Sequence, residues 1–253
     1  YLTLRPEYTT PMIRAAITNN LLNDLPLKIF GIGPMFRRER PQKGRYRQFN
    51  QINFEILGSN DYLADLELII LANDILRSIL PKSKITLNLN SLGTKNDLGI
   101  YKENLTKYFQ DNKSKLSTES KEKIISNPLR ILDSKNNEDK EIISKSPKLI
   151  DLISKTDLNN YEEIKKCLTD LGINIFEDPN LVRGLDYYCH TVFEFKTDAI
   201  GSQDTLIGGG RYNGLIKTLG GKDIPGIGWA GGIERIMLLM NDVNEITEDI
   251  HLC

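Results

Sequence analysis

Polar and apolar residues alternate from residue 48 to 57, so that Gln51, Asn53 and Glu55 share one side of an extended strand and Ile52, Phe54 and Ile56 the other. Residues 27–35 also read as a strand. Pro41 and Gly44 mark a turn between the two, which makes a hairpin. Residues 85–89 and 190–195 have strand patterns, and 226–230 is a glycine-spaced strand. Helical spacing appears between them. Residues 62–80 carry Leu63, Leu66, Ile69, Ile70 and Ala72 and stop before Pro81. Thr9, Thr10 and Pro11 precede another helical pattern, in which Thr9 suits a cap. Ile233, Ile236, Met237 and Met240 keep the i, i+3, i+4, i+7 spacing of a helix packed on a sheet.

Glycine usage divides the chain. Six glycines precede residue 100, none falls between 100 and 171, and thirteen lie between 172 and 232. The glycine-free stretch is rich in Lys, Glu, Asp, Leu and Ile and is broken at Asn127-Pro128 and Ser146-Pro147, a pattern of several short helices. With 15 cations and 13 acids from residue 93 to 166, it reads as a solvated insert, not a strong nucleic-acid clamp. The expected architecture is α+β: an antiparallel sheet flanked by helices, with an inserted small helical domain. The boundaries are a first core part over 1–92, the insertion over 93–170 and a second core part over 171–253.

Composition narrows the function. The 253 residues carry a net charge of −1, so any nucleic acid must be met by local patches. No apolar run reaches the length of a membrane span. Cys167, Cys189 and Cys253 are an odd number at wide spacing, which suits reduced thiols in a cytosol-like compartment. His190 and His251 are the only histidines, so a zinc site or a histidine-based nucleophile device is poorly supported. The chain begins at Tyr1, which points to a piece of a longer protein.

The charge is concentrated in one place. Arg37, Arg38, Arg40, Lys43, Arg45 and Arg47 stand against a single acid, Glu39. Like charges clustered on a hairpin repel unless an anion relieves them. Arg37 shares strand parity with Gly31 and Gly33, which suggests room for a ligand against the backbone. Gln51 and Glu55 fall on one strand face, where an amide and a carboxylate suit a small polar molecule. Residues 208–212, GGGRY, suit either a close backbone approach or a plain turn, and no GK[ST] follows to make a P-loop. Arg235 falls in the opening turn of the last helix, where the helix dipole and an exposed guanidinium would act together on an anion.

Taken together, these segments resemble the class II aminoacyl-tRNA synthetases, and among them the histidyl-tRNA synthetase family. FRRERPQKGRYRQFNQINFE resembles motif 2 and GIGWAGGIERIMLL motif 3. LRPEYT and LVRGLDYY resemble the two histidine-enzyme signatures, and NPLRILDSK is similar to a segment of the helical insertion. The resemblance covers nearly the whole chain. Motifs 2 and 3 are shared across the class, whereas LVRGLDYY is far more specific.

The resemblance implies activation of L-histidine by ATP and transfer of the histidyl group to tRNA(His), with Mg²⁺ accompanying ATP and no dedicated protein metal cage. By motif position, Arg37, Arg183 and Arg235 would be the catalytic cations on the phosphates, joined by Arg45 at the ATP. Glu7, Tyr8, Thr9 and Gln51 would fall around the substrate ammonium. Glu55 and Tyr188 would bond the imidazole, with Tyr187 and Tyr212 lining the pocket. A homodimer of the full-length protein and a cytoplasmic location are further implications. The family usually has Gly at the position of Tyr8, and Asn is common at that of Cys189. Motif 1 and the anticodon-binding domain have no counterpart in the sequence. A histidine-sensing paralogue is the main rival, but such proteins generally lack the insertion and the intact LVRGLDYY.

Overall fold

The computed structural model describes residues 3–38, 40–132, 134–182, 185–201 and 204–242. Arg183, Glu39, His251 and Cys253 therefore lie outside the described residues. In chain order the elements are α1 (Thr9–Thr18), β1 (Leu27–Phe36), β2 (Gln48–Leu57), α2 (Tyr62–Ile79), β3 (Thr86–Ser91), α3 (Lys95–Asp111), α4 (Thr118–Ser126), α5 (Leu129–Leu132), α6 (Asn137–Ser144), α7 (Lys155–Asp170), β4 (Ile175–Glu177), β5 (Cys189–Lys196), β6 (Thr205–Arg211), α8 (Leu215–Thr218), β7 (Gly226–Gly232) and α9 (Ile233–Asp242).

The described strands form one sheet in the order β1-β2-β7-β6-β5-β3-β4. Every pairing is antiparallel except β3 with β4. The expected hairpin sets Leu27 opposite Leu57 and Phe36 opposite Gln48. Two strands were not anticipated. β4 is three residues long, too short for a period to register. β6 contains Gly208, Gly209 and Gly210, which carry no side chains to alternate.

One sheet face is covered by α2, α7 and α9. Ile69, Ala72 and Leu76 of α2 pack with Tyr161, Ile164 and Leu168 of α7 against Phe193, Ile207, Ile227 and Trp229 of the sheet. Burying large side chains of this kind stabilises by about 1.5–3 kcal/mol each. The Trp229 indole N–H donates to the Leu68 carbonyl at 3.0 Å, which satisfies its polar atom inside this core. On α9 the buried face is Ile236 and Leu239, while Met237 is 52% exposed. The expected face that included Met237 is thus rotated, because the helix meets the sheet through Leu239 instead.

The chain from α3 to α6 packs around Tyr101, Leu105 and Phe109 and joins α1 and the opposite face of the sheet. Its polar centre is Asp139, which is fully buried. The Asp139 carboxylate accepts from the Ser117 backbone N–H and from the Ser117, Ser120 and Ser134 hydroxyls at 2.6–2.8 Å. Burial alone would raise its pKa, but the four donors outweigh burial and hold it below the ordinary value. These bonds tie the start of α4 to α6. Asp139→Ala should lower stability by about 2–3 kcal/mol in urea unfolding, because it strands several buried donors. Since the folded-state pKa is depressed, the stabilisation should be complete at neutral pH and be lost as pH falls below 3.8.

Candidate active site

The strand register builds a nearly bare floor. Asn53 lies opposite Ala230, which lies opposite Gly208, which lies opposite Glu194. Two residues along, on the same face, Glu55 lies opposite Gly228 and Gly228 opposite Gly210. The central strands β7 and β6 therefore offer backbone and one methyl group to this face, while β2 and β5 supply functional groups at its sides. The polar face of β2 turns inward: Gln51 is 8% exposed, and Asn53 and Glu55 are 1% exposed.

At one end of the floor is a cleft of about 320 Å³ lined by Arg37, Arg45, Phe49, Gln51, Glu194, Thr205, Glu234 and Arg235. The tip of the basic hairpin closes by paired bonds between Gln42 and Arg45, with Gly44 in the left-handed region at φ 72°. Arg235 anchors this tip. Its Nε donates to the Gly44 carbonyl at 2.8 Å and its Nη1 to the Thr205 carbonyl at 2.7 Å. Arg235 is thus half-buried on carbonyl partners, not the exposed helix-end group expected. Burial, then the nearby Arg37 charge and that of Arg45, hold it below its ordinary pKa. The Arg37 guanidinium lies 4.7 Å from the centre of the Phe49 ring. Glu234 accepts from the backbone and side-chain nitrogens of Asn50 through Oε1, and its Oε2 is buried without a partner.

Further along the same β2 face stands Glu55. Its Oε1 accepts from the Thr9 hydroxyl at 2.7 Å and its Oε2 from the Tyr212 hydroxyl at 2.6 Å. Tyr187 packs 4.6 Å from Tyr188 and 5.8 Å from Tyr212 between ring centres. Burial pushes the Glu55 pKa up to about 8 despite the opposing Tyr212 and Thr9 bonds. Burial also pushes Tyr212 and Tyr187 up. Gly228 is essential to this geometry, because a Cβ there would overlap the Glu55 carboxylate. Gly226 likewise leaves space for the Tyr212 ring. Arg211, paired in buried surroundings with Asp65 of α2 and donating to the Ser59 carbonyl at 2.8 Å, fixes the strand end that carries Tyr212.

Several sequence-based expectations change. Thr9 is not the helix cap: its hydroxyl goes to Glu55, and the Glu7 carboxylate instead accepts from the Thr10 N–H at 3.0 Å. Nor do Gly31 and Gly33 leave an open surface beneath Arg37. The Tyr8 ring covers Gly31, the Arg5 guanidinium covers Gly33, and Arg5 stacks 4.4 Å from the Tyr8 ring centre. The residues 208–212 segment is a central strand, with Gly209 pressed on the β7 backbone. Arg37, Arg45 and Arg235 converge on one cleft. Glu7, Thr9, Glu55, Tyr187, Tyr188 and Tyr212 gather in the neighbouring cluster around the buried carboxyl, and Gln51 lies between the two groups. Phe49, Glu194, Thr205 and Glu234 were not singled out from sequence. Strand parity gave the side on which Phe49 lies, but only the neighbouring strands show which side is the cleft.

A basic hairpin folded over a glycine-floored antiparallel sheet, with a helix-borne arginine behind it, is the core of a class II aminoacyl-tRNA synthetase. The chain superimposes on apo S. aureus histidyl-tRNA synthetase with a TM-score of 0.75 and 35% identity, covering 98% of this chain and 59% of that one. The Histidyl-tRNA synthetase family pattern matches residues 1–236, so the chain belongs to that family. Curated relatives named histidine--tRNA ligase include those of Gluconobacter oxydans, 45% identical over 99% of this chain, and Wolbachia pipientis wMel, 49% identical over 95%. The chain spans about 60% of the length of the first of these relatives and 58% of the second.

The buried carboxyl gives a stability signature. Its folded-state pKa of about 8 lies above the ordinary 4.5, so the folded protein retains a proton that the unfolded chain loses, and stability falls as pH rises through this window. Glu55→Gln removes the titration. The variant should match the parent near pH 4.5 and exceed it by something on the order of 4 kcal/mol at pH 8, read from urea midpoints.

Proposed function

We propose that the protein to which this chain belongs activates L-histidine with ATP, giving histidyl-adenylate and pyrophosphate, and then passes the histidyl group to the 3′ end of tRNA(His). The observation that carries this reading is the juxtaposition, on one sheet face, of a three-arginine cleft and a buried carboxylate ringed by hydroxyls. The cleft suits a polyanion. The pocket suits a small ring with two nitrogens, because an analogue lacking them would strand buried polar atoms.

In this reading Arg37 holds the α-phosphate and the amino-acid carboxylate, and Arg235 and Arg45 hold the outer phosphates. Phe49 offers a flat face for the base. The amino-acid carboxylate attacks the α-phosphorus and pyrophosphate leaves in line. Fixed guanidiniums stabilise the charge that builds on the phosphorus oxygens without needing to reorganise. Arg183 enters by its motif position as a further cation on the α-phosphate. Glu7, Thr9 and Gln51 serve the ammonium end, where the buried and unpartnered Gln51 Oε1 is a ready acceptor. Glu55, Tyr188, Tyr187 and Tyr212 serve the imidazole.

Mg²⁺ fits the cleft as a partner of the phosphates. Glu194 and Glu234 line it, and the buried, unpartnered Glu234 Oε2 suits an ion that takes its other oxygens from phosphate and water. Such an ion would neutralise phosphate charge. Homodimerisation and a cytoplasmic location belong to the same reading. Among the described residues no helix is long and apolar enough to cross a membrane.

Amino-acid-dependent exchange of pyrophosphate into ATP, using the full-length protein, tests the proposal. A signal is expected with histidine alone, and silence with every amino acid would favour a histidine-sensing role. Arg235→Ala should reduce exchange by about 100-fold or more, through loss of a phosphate contact and of the hairpin anchor. Arg183→Ala should lower the adenylation rate more than it weakens histidine binding.

A further inference from the structure

Glu55 occupies an unusual electrostatic position. It is 1% exposed, its two oxygens accept from the hydroxyls of Thr9 and Tyr212 with the neutral Asn53 amide nearby, and no Lys, Arg or His among the described residues pairs with it. Among the described residues, the titratable groups facing it are Glu7 from the segment before α1, Tyr187 from the segment before β5, and Tyr212 after β6, with Tyr188 beside the two tyrosines. Each of these is neutral or negative. Opposite, β7 presents only Gly228. A carboxylate buried without a cation favours its protonated form.

We infer that Glu55 and the imidazole of bound histidine share a single proton, supplied by the Glu55 carboxyl, so that histidine enters from neutral solution with no net proton gained or lost. The inference rests on the histidine reading above. In the empty pocket the proton is on Glu55. In the complex it lies in the hydrogen bond between Glu55 and a ring nitrogen, whichever of the two atoms holds it more tightly. The free carboxyl titrates at about 8, and a free imidazole at about 6.5. Between these values the free partners together carry one proton, as the complex does. Above the window the carboxyl must regain a proton to bind. Below it the imidazolium must give one up.

The experiment is calorimetric titration of the full-length protein with L-histidine from pH 5.5 to 9, in buffer pairs of different ionisation enthalpy, for the parent and Glu55→Gln. For the parent, affinity should be highest near pH 7 and fall on both sides, by up to about tenfold per pH unit. The buffer pairs should show close to zero protons exchanged at pH 7 and uptake at pH 8.5. The substrate ammonium titrates identically for both proteins, so it cancels in the ratio of their affinities. The parent-to-variant ratio should therefore fall as pH rises above about 8, because the variant has no carboxyl to reprotonate. Should Glu55→Gln fail to bind histidine, the proton count of the parent decides alone. Release of nearly one proton at pH 7 would overturn the inference, since it would mean an ionised Glu55 facing neutral imidazole. Uptake of nearly one proton would also overturn it. Histidine-dependent pyrophosphate exchange is scored separately: a wrong proton count leaves the activity reading standing, absent exchange with histidine binding intact defeats the activity reading alone, and failure of the parent to bind histidine defeats the inference.

Discussion

A buried carboxyl group with no cation paired to it among the described residues costs folding free energy when it ionises, and much of this molecule is arranged around that cost. Glu55 needs the absent side chain of Gly228 for space, Thr9 at the start of α1 and Tyr212 at the end of β6 for hydrogen bonds, and the rings of Tyr187 and Tyr188 nearby. These groups come from places far apart in the chain. The buried Arg211–Asp65 pair then holds the strand that bears Tyr212 against α2. An unfavourable group retained at such expense is typical of a site selected for ligand recognition over stability.

The second constraint is repulsion among guanidiniums. Arg37, Arg45 and Arg235 line one cleft, and burial, followed by the charges of the first two, depresses the pKa of the third. Arg235 is nonetheless held there by the carbonyls of Gly44 and Thr205, while Arg37 lies against Phe49. Backbone oxygens and a ring face help to fix two of these guanidiniums in place. A polyanion entering the cleft would meet guanidiniums that are already oriented.

The two subsites share a floor because of register. β7 comes last among the described strands in sequence but pairs between β2 and β6: Gly232 and Gly228 lie opposite Gln51 and Glu55 on one side, and Ala230 and Gly228 lie opposite Gly208 and Gly210 on the other. A substrate spanning the carboxyl pocket and the arginine cleft would lie along backbone, so the distance between the subsites is set by the sheet. Substitution of a floor glycine changes this surface directly, whereas the reverse face carries Trp229 and the helix layer and can repack.

Local sequence was enough to define the basic hairpin, the separation of β2 into a polar and an apolar face, the run of α2 and the break at the helical segment. Each depends on short-range periodicity, turn residues or charge density. The motif segments also brought Arg37, Arg45, Arg235, Glu55 and Tyr212 together as candidates. Tertiary structure alone decided that β6 is a strand, since three successive glycines have no alternation to read. It also decided that Tyr8 and Arg5 fill the space above Gly31 and Gly33, that Leu239 and not Met237 faces the core, and that Thr9 turns from the helix end to Glu55. In each case the deciding partner is distant in sequence: a side chain's role depends on the groups that surround it after folding, and periodicity along one segment carries no information about them.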